Sequence, residues 1–315
     1  MNVLVTGGAG FIGSHLVDRL LSHGHSITVF DSFNDYYDPA IKRSNLKAAL
    51  PHISLVEGDL LDQDLVQHVF RAGRFDTVVH LAARAGVRPS IEQPRLYIDV
   101  NVTGTFNLLE AAQQHGVSQF VFASSSSVYG VNEKIPFAED DLIQNTISPY
   151  AATKLAGEQL CSNFSHLYGI RTVCLRFFTV YGPRQRPDLA IAKFTQKIDR
   201  GLPIDQYGDG STSRDYTFID DIVQGIVGAI NFSACPFSIF NLGGSKTVRL
   251  SELIATIESA LGKRAIINVL PQQPGDVPRT FADVTKAALH LDYHPDTPIQ
   301  EGIPKYVEWY REYLR

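Results

Sequence analysis

The sequence predicts an α/β fold: a doubly wound parallel sheet with a smaller C-terminal α/β lobe. Three observations carry this. Short β-branched runs alternate with longer helical patterns through the first half of the chain. Those runs are apolar throughout, without the polar alternation of a half-exposed strand. From about residue 179 the pattern breaks into loops rich in Pro, Gly and Asp. Strands that are apolar on both faces need cover on both sides, which crossover helices on a parallel sheet provide. At 315 residues the chain is long enough for two packed cores, since a single core rarely grows past about 250–300 residues.

Taken in order, NVLVT (2–6) opens as a strand and FIGSHLVDRLLSHG (11–24) follows as an amphipathic helix. The further strands are ITVF (27–30), ISLV (53–56), TVVHL (77–81), FVFAS (120–124) and RTVCLRF (171–177). TGTFNLLEAAQQHG (103–116) reads as a helix closed by Gly116, the residue type suited to a helix C-cap. The later loops are YGPRQRPD, YGDGSTSRD and PQQPGDVPR, with helical patterns at 250–261 and 299–314. The expected division gives the first domain residues 1–178 plus about 218–244, and the second about 179–217 and 245–315.

The totals exclude several classes of function. A net charge of −5 argues against a nucleic-acid surface, so an anionic ligand needs a local cationic cluster. Cys161, Cys174 and Cys235 are odd in number and lack metal-ligand spacing, which predicts reduced thiols in a cytoplasmic protein. The histidines form no ligand pattern, and no metal is expected. Met1 leads straight into a strand-like run, so no signal peptide is expected, and no apolar stretch approaches the roughly 20 residues of a membrane span.

The first turn is the most specific segment. VLVTGGAGFIGSHLVDRL places Gly8, Gly10 and Gly13 in a G-x-G-x-x-G pattern, overlapped by Gly7, Gly10 and Gly13 in G-x-x-G-x-x-G. One glycine makes the tight turn, one admits a pyrophosphate to the backbone, and one lets helix and strand pack closely. The helix N-terminus then offers unpaired N–H groups to phosphates. Asp31 ends the second strand, where it would accept from a ribose 2′-hydroxyl and repel a 2′-phosphate, favouring NAD over NADP. Asp59 and Leu60 follow the third strand; either they meet the adenine, or Asp59 caps the next helix.

Two further motifs stand beyond this. FASSSSVYG lines up Ser124, Ser125, Ser126 and Ser127 at a strand end, and SPYAATK places Tyr150 and Lys154 on one helix face. An ammonium near a phenol stabilises phenolate and lowers its pKa, making Tyr150 a usable base near neutrality.

Together these residues resemble the extended short-chain dehydrogenase/reductase family: TGGAGFIG, Asp31, HLAA (80–83), the Asn101 of NVTGT, SSSSVYG and YAATK. RFFTVYGP (176–183), SRDYTFIDD (213–221) and PGDV (274–277) are similar to its sugar-nucleotide branch. The resemblance runs along nearly the whole chain. It implies a Rossmann-type domain holding NAD, a smaller lobe holding a UDP-sugar, and a homodimer. The cofactor contacts it implies are Gly7, Gly10, Phe11, Ile12, Gly13, Asp31, Ser32, Asp59, Leu60, Leu81, Ala82, Ala83, Asn101, Tyr150, Lys154 and Phe177. The catalytic set is Tyr150, Lys154 and Ser125, the hydroxyl four before Tyr129, while Ser124 is expected to be structural.

In such enzymes the sugar is first oxidised at C4, with Tyr taking the hydroxyl proton and NAD the hydride. Dehydratases carry an Asp–Glu pair just after the catalytic hydroxyl, and uronate decarboxylases a Glu at the second position. Ser126 and Ser127 stand there in this chain. Without that acid, the simplest fate of the 4-keto intermediate is hydride return to its other face, which is 4-epimerisation. Three readings follow: a UDP-glucuronate 4-epimerase forming UDP-galacturonate, an epimerase of UDP-glucose or UDP-N-acetylglucosamine, and a non-catalytic NAD-binding protein. Tyr150 and Lys154 argue against the last.

RFFT replaces the RFFN or RYFN of the UDP-galactose type at Thr179, and GPRQRPD adds Arg184 and Arg186. This segment and DSFNDYYDP (31–39) resemble the UDP-glucuronate 4-epimerases in particular. Arg binds carboxylates in a bidentate, charge-assisted manner, and Ser126, Ser127 and Thr179 would add hydroxyl donors. A 4-keto uronate is a β-keto acid and loses CO₂ easily, so a firm grip on its carboxylate makes chemical sense. The alternative for Arg186 is a solvated loop charge or an ion pair with Asp188. Arg88 touches either the substrate or the loops around it. At the nucleotide end, the resemblance assigns Arg214 to the diphosphate, Asp276 to the uridine ribose, and Tyr207 with Gln206 to the base. Gln273 stands where such enzymes often carry Arg; Arg279 then either takes part of the diphosphate charge or pairs with Asp283.

Overall fold

The computed structural model describes residues 1–271 and 279–313. Strands β1 (Asn2–Thr6), β2 (Ser26–Asp31), β3 (Ser54–Glu57), β4 (Thr77–His80), β5 (Gln119–Ser125) and β6 (Arg171–Phe177) lie close to their expected positions. Beyond them come β7 (Thr179–Tyr181), β8 (Pro203–Tyr207), β9 (Ser213–Arg214), β10 (Tyr216–Phe218), β11 (Phe237–Leu242), β12 (Val248–Arg249) and β13 (Ile266–Leu270).

One seven-stranded sheet runs in the order β11-β6-β5-β4-β1-β2-β3, and every pair in it is parallel. The chain leaves β1 toward β2 and β3, then returns to β4 on β1's other side. That reversal opens a crevice at the carboxyl ends of β1 and β4, the place where such sheets bind ligands. The expected doubly wound sheet is present, and β11 extends it by a strand that the sequence pattern does not single out.

Alternate side chains of each strand feed two separate cores. Val3, Val5, Val79 and Val121 join one; Leu4, Val78, Phe120 and Phe122 join the other. Full burial of each such side chain is worth about 1.5–3 kcal/mol, so double-sided burial explains why these runs show no polar alternation. β7 with β10, β8 with β13 and β9 with β12 form three two-stranded sheets in the C-terminal part. The helices expected at 250–261 and 299–314 appear as Leu250–Leu261 and Ile299–Tyr313.

Candidate active site

The crevice is a cleft of about 400 Å³ at the carboxyl ends of β1, β2, β4, β5 and β6. The glycine turn forms its floor. Gly7 adopts φ +69°, and a Cβ there would stand 2.7 Å from the Ala82 nitrogen. A Cβ on Gly13 would lie 2.2 Å from the Gly7 carbonyl. Only glycine lets the helix Phe11–Ser22 start this close to β1 and β4, as the fingerprint requires.

Asp31 closes the far end. Its carboxylate accepts from the backbone N–H of Ala9 at 3.1 Å and of Phe33 at 3.0 Å. It also pairs with Lys42 Nζ at 3.3 Å, both side chains buried. A carboxylate offers about four acceptor sites, so one remains for a ribose hydroxyl. Lys42 balances the charge, which makes the preference for a hydroxyl over a phosphate a matter of acceptor geometry more than of repulsion. Sequence reasoning missed Lys42. Its signal was a lysine four residues before Leu46, on the buried side of the helix Pro39–Leu46.

Phe11, Ile12, Ser32, Asp59, Leu60, Leu81, Ala82 and Ala83 all line the cleft together with Gly10. Asp59 accepts from Leu61 N–H in a local turn, whereas Asp62 caps the helix Gln63–Gly73 through Leu65 N–H. Asn101 is buried in a single π-helical turn, Asp99–Thr103. Its amide brackets Arg84, accepting from the backbone N–H at 2.8 Å and donating to the carbonyl at 2.9 Å. It also donates to Thr153 Oγ1, which donates to the Tyr150 carbonyl. Asn101 thus ties the loop after β4 to the first turn of the catalytic helix, away from the cleft wall.

That helix, Pro149–Tyr168, begins where Ser148 accepts from Ala151 N–H and Pro149 presets the first turn. Tyr150 and Lys154 lie on one face of it and both line the cleft, with Ser125 and Phe177. The Lys154 ammonium is 6.0 Å from the Tyr150 ring centre and donates to the Ala123 carbonyl at 2.7 Å. Burial pulls the Lys154 pKa down to about 8, against the raising effect of Cys161 and Glu158. The expected lowering of the Tyr150 phenol needs correction. Burial raises it, outweighing the hydrogen bond to Ser125 and the Arg186 charge, both of which lower it.

The serine tetrad divides its work. Ser124 donates to Glu158 at 2.5 Å, and Glu158 holds Arg176 by both oxygens in a buried pair. Ser125 donates to Ser127 Oγ at 3.1 Å and accepts from its N–H, while Ser126 is half-buried in the same turn. Neither Ser126 nor Ser127 is on the cleft wall; Thr179 is.

Arg186 reaches the cleft wall with its guanidinium forked onto Asp188 at 2.9 and 2.8 Å, the ion pair weighed as the alternative. This pairing lowers the Asp188 pKa and raises that of Arg186 against burial. Arg184 turns elsewhere, to Asp18 of the first helix at 2.7 Å, and so does not join the expected cationic reader. Tyr36 lines the cleft without having been singled out, and so does Arg84, which the sequence places with Arg88 just after a sheet strand, where ligands bind in such folds.

The nucleotide-end residues among those described lie off this wall. The Arg88 guanidinium sits 5.2 Å from the Tyr207 ring centre, and Gln206 donates to the Gly208 carbonyl. Arg214 is on β9, opposite Val248 of β12, and donates to the Ser213 carbonyl. Ser213 bridges to Arg279, which reaches Thr247 at 3.4 Å and stacks over Phe281; among the described residues it forms no ion pair with Asp283. Asp276 and Gln273 lie outside the described residues.

A glycine turn aimed at a pyrophosphate, a ribose acceptor and a Tyr–Lys–Ser cluster define a dinucleotide-dependent enzyme that moves protons and hydride. Comparison with known proteins agrees. The profile of the NAD dependent epimerase/dehydratase family matches residues 3–243. A probable UDP-glucuronate 4-epimerase of Rhizobium meliloti is 40% identical, covering 100% of this chain and 98% of the relative. A Bacillus cereus UDP-glucuronic acid 4-epimerase, solved with UDP-glucuronic acid and NAD, superposes with a TM-score of 0.91 at 34% identity over 99% of each chain. A Thermotoga maritima UDP-glucose 4-epimerase, solved with UDP-glucose, gives a TM-score of 0.93 at 33% identity over 100% of each. The chain belongs to the NAD-dependent epimerase/dehydratase family, and NAD is its cofactor.

Proposed function

We propose that the chain interconverts UDP-glucuronate and UDP-galacturonate by inversion at C4. The observation that carries this is Arg186. Its guanidinium stands on the wall of the catalytic cleft, close enough for its charge to act on the Tyr150 phenol, while Ser126 and Ser127 hold the positions where eliminating or decarboxylating relatives carry acids. A guanidinium has five N–H donors; Asp188 takes two, which leaves three for a C6 carboxylate.

The residues divide the chemistry as follows. Tyr150 removes the C4 hydroxyl proton and returns it, Ser125 hydrogen-bonds the phenol, and Lys154 supplies positive charge beneath it. Gly7, Gly10 and Gly13 with Asp31 hold the cofactor. When bound there, NAD would supply the acceptor and donor of the C4 hydride. Because Arg186 holds the carboxylate out of line and no acid stands at 126 or 127, the 4-keto sugar returns to product without losing CO₂.

The nucleotide is read by Arg214, Arg279, Tyr207 and Asp276 in a lobe formed by about 179–217 and 245–315. The NAD-binding domain takes residues 1–178 and about 218–244. We assign a cytoplasmic location on the three free cysteines and a homodimer on the exposed apolar side chains discussed below. Among the described residues no helix is long and apolar enough to cross a membrane.

A second reading, a neutral UDP-hexose, draws on the same ion pair, since Asp188 already satisfies part of Arg186. Incubating pure protein with UDP-glucuronate and, separately, UDP-glucose while following C4 configuration by NMR decides between them. Turnover of the uronate is expected; interconversion of UDP-glucose alone overturns the proposal. Arg186→Ala should cut kcat/KM for the uronate by about 10- to 100-fold, the loss of one charge-assisted contact of about 1.5–3 kcal/mol.

A further inference from the structure

The 31–39 segment, DSFNDYYDP, has one acid for the cofactor and leaves its two tyrosines unexplained. The structure brings Tyr36 to the other distinctive segment, 176–188. Its ring centre lies 5.3 Å from the Arg186 guanidinium carbon and 5.9 Å from that of Arg84. A ladder of short bonds builds the loop that carries it. Phe33 N–H donates to Asp31, Asn34 donates to Ser32 Oγ, and Tyr36 N–H donates to Asn34 Oδ1.

The far end of the ring is equally fixed. Tyr36 OH donates to the Ala85 carbonyl at 2.8 Å, and Tyr97 OH donates to the same oxygen at 2.7 Å. Tyr97 in turn stands edge-on to Tyr150, with ring centres 6.2 Å apart. Gly86 is part of the fit: a Cβ there would sit 3.1 Å from the Tyr36 hydroxyl.

Arg186 is therefore held in two directions. Asp188 occupies the Nε–Nη2 edge, and the Tyr36 ring covers a face, where an aromatic quadrupole attracts a guanidinium. The Nη1 group and the outer Nη2 hydrogen remain for a ligand. We propose that Tyr36 is a positioning residue for acidic-sugar specificity: it seats the Arg186 guanidinium so that its free donors meet a C6 carboxylate. This rests on the uronate reading above. A neutral C6 hydroxymethyl gains nothing from the arrangement, so the effect of Tyr36 is confined to acidic substrates.

The test uses NAD-loaded enzyme and four variants, Tyr36→Leu, Tyr36→Phe, Arg186→Ala and the Leu–Ala double variant, each checked for native circular dichroism. The readouts are KM and kcat for UDP-glucuronate and the inhibition constant of UDP-glucose. Tyr36→Leu should raise KM for the uronate about tenfold with kcat little changed, and leave the UDP-glucose constant within about twofold. Tyr36→Phe, which keeps the ring face, should stay within about threefold of the parent. In the Arg186→Ala background, Tyr36→Leu should add less than about twofold, because coupled residues are not additive. Equal losses for both sugars, or additive losses in the double variant, overturn the inference. If Arg186→Ala costs the uronate affinity and Tyr36→Leu does not, Tyr36 alone is ruled out. If Arg186→Ala costs nothing, the uronate reading fails and the inference fails with it.

Discussion

In the proposed reaction Tyr150 acts as the base, although burial raises its pKa above the ordinary value. Low-dielectric surroundings disfavour its anion, and the Ser125 hydrogen bond and the Arg186 charge offset only part of that cost. The same burial leaves Lys154 with a pKa of about 8, so near neutrality most of it is still charged. Removing the phenol oxygen removes the group to which the proposed reaction assigns the C4 proton. Tyr150→Phe should lower turnover by about 10²- to 10⁴-fold while NAD still binds. Single-turnover absorbance of the reduced cofactor would check this; a variant that reduces its cofactor at the parental rate would exclude Tyr150 as the base. The Tyr–Lys spacing was legible from residue order alone. The direction of the phenol's pKa was not, because burial is a property of what the fold packs around it.

At the scale of elements, buried His80 joins three of them behind the cleft-lining loop that starts at Leu81. It ends β4, and its two ring nitrogens reach Thr6 of β1 at 2.7 Å and Thr105 of the helix Gly104–Gln114 at 2.9 Å. Thr105 donates its own hydroxyl hydrogen to the Asn101 carbonyl. It must therefore accept from His80 Nε2–H, and Nδ1 then accepts from Thr6. A second proton on this ring would break the chain, and burial holds the pKa down to about 3. Between pH 6.5 and about 3 the unfolded chain binds a proton here that the folded chain refuses, so stability falls as pH falls. The loss should reach about 2 kcal/mol at pH 5. His80→Gln should be less stable than the parent at pH 7 by about 1–3 kcal/mol but show a shallower decline to pH 5. Urea unfolding at the two pH values measures it; an unchanged pH slope in the variant would assign the dependence elsewhere. The HLAA motif pointed to this strand end, but the π-helical turn through Asn101 has no sequence signature.

For the molecule as a whole, the helix Pro149–Tyr168 and the helices beside it carry exposed apolar side chains. Ile91, Ile98 and Leu167 are 62%, 52% and 63% exposed. Phe106, Phe164 and Tyr168 form a ladder of rings across two neighbouring helices, with centres 5.9 and 5.1 Å apart. Exposed apolar side chains grouped on such helices suit an association surface, and most soluble oligomers are two-fold dimers. The proposed homodimer should bury it. Phe106→Glu should shift the protein from dimer to monomer in sedimentation at micromolar concentration. A parent that is monomeric there would sink the assignment.

Residue order by itself determined the parallel sheet, the glycine turn, Asp31 and the Tyr150–Lys154 pair. Each rests on periodicity or spacing within one segment, and local physics decides such features. Tertiary structure alone decided what separate segments do to one another: Lys42 against Asp31, Arg184 against Asp18, Arg186 against Tyr36. These are contacts between side chains up to 166 positions apart. No pattern along the chain encodes them, because they exist only after the sheet has closed and brought its loops to one edge.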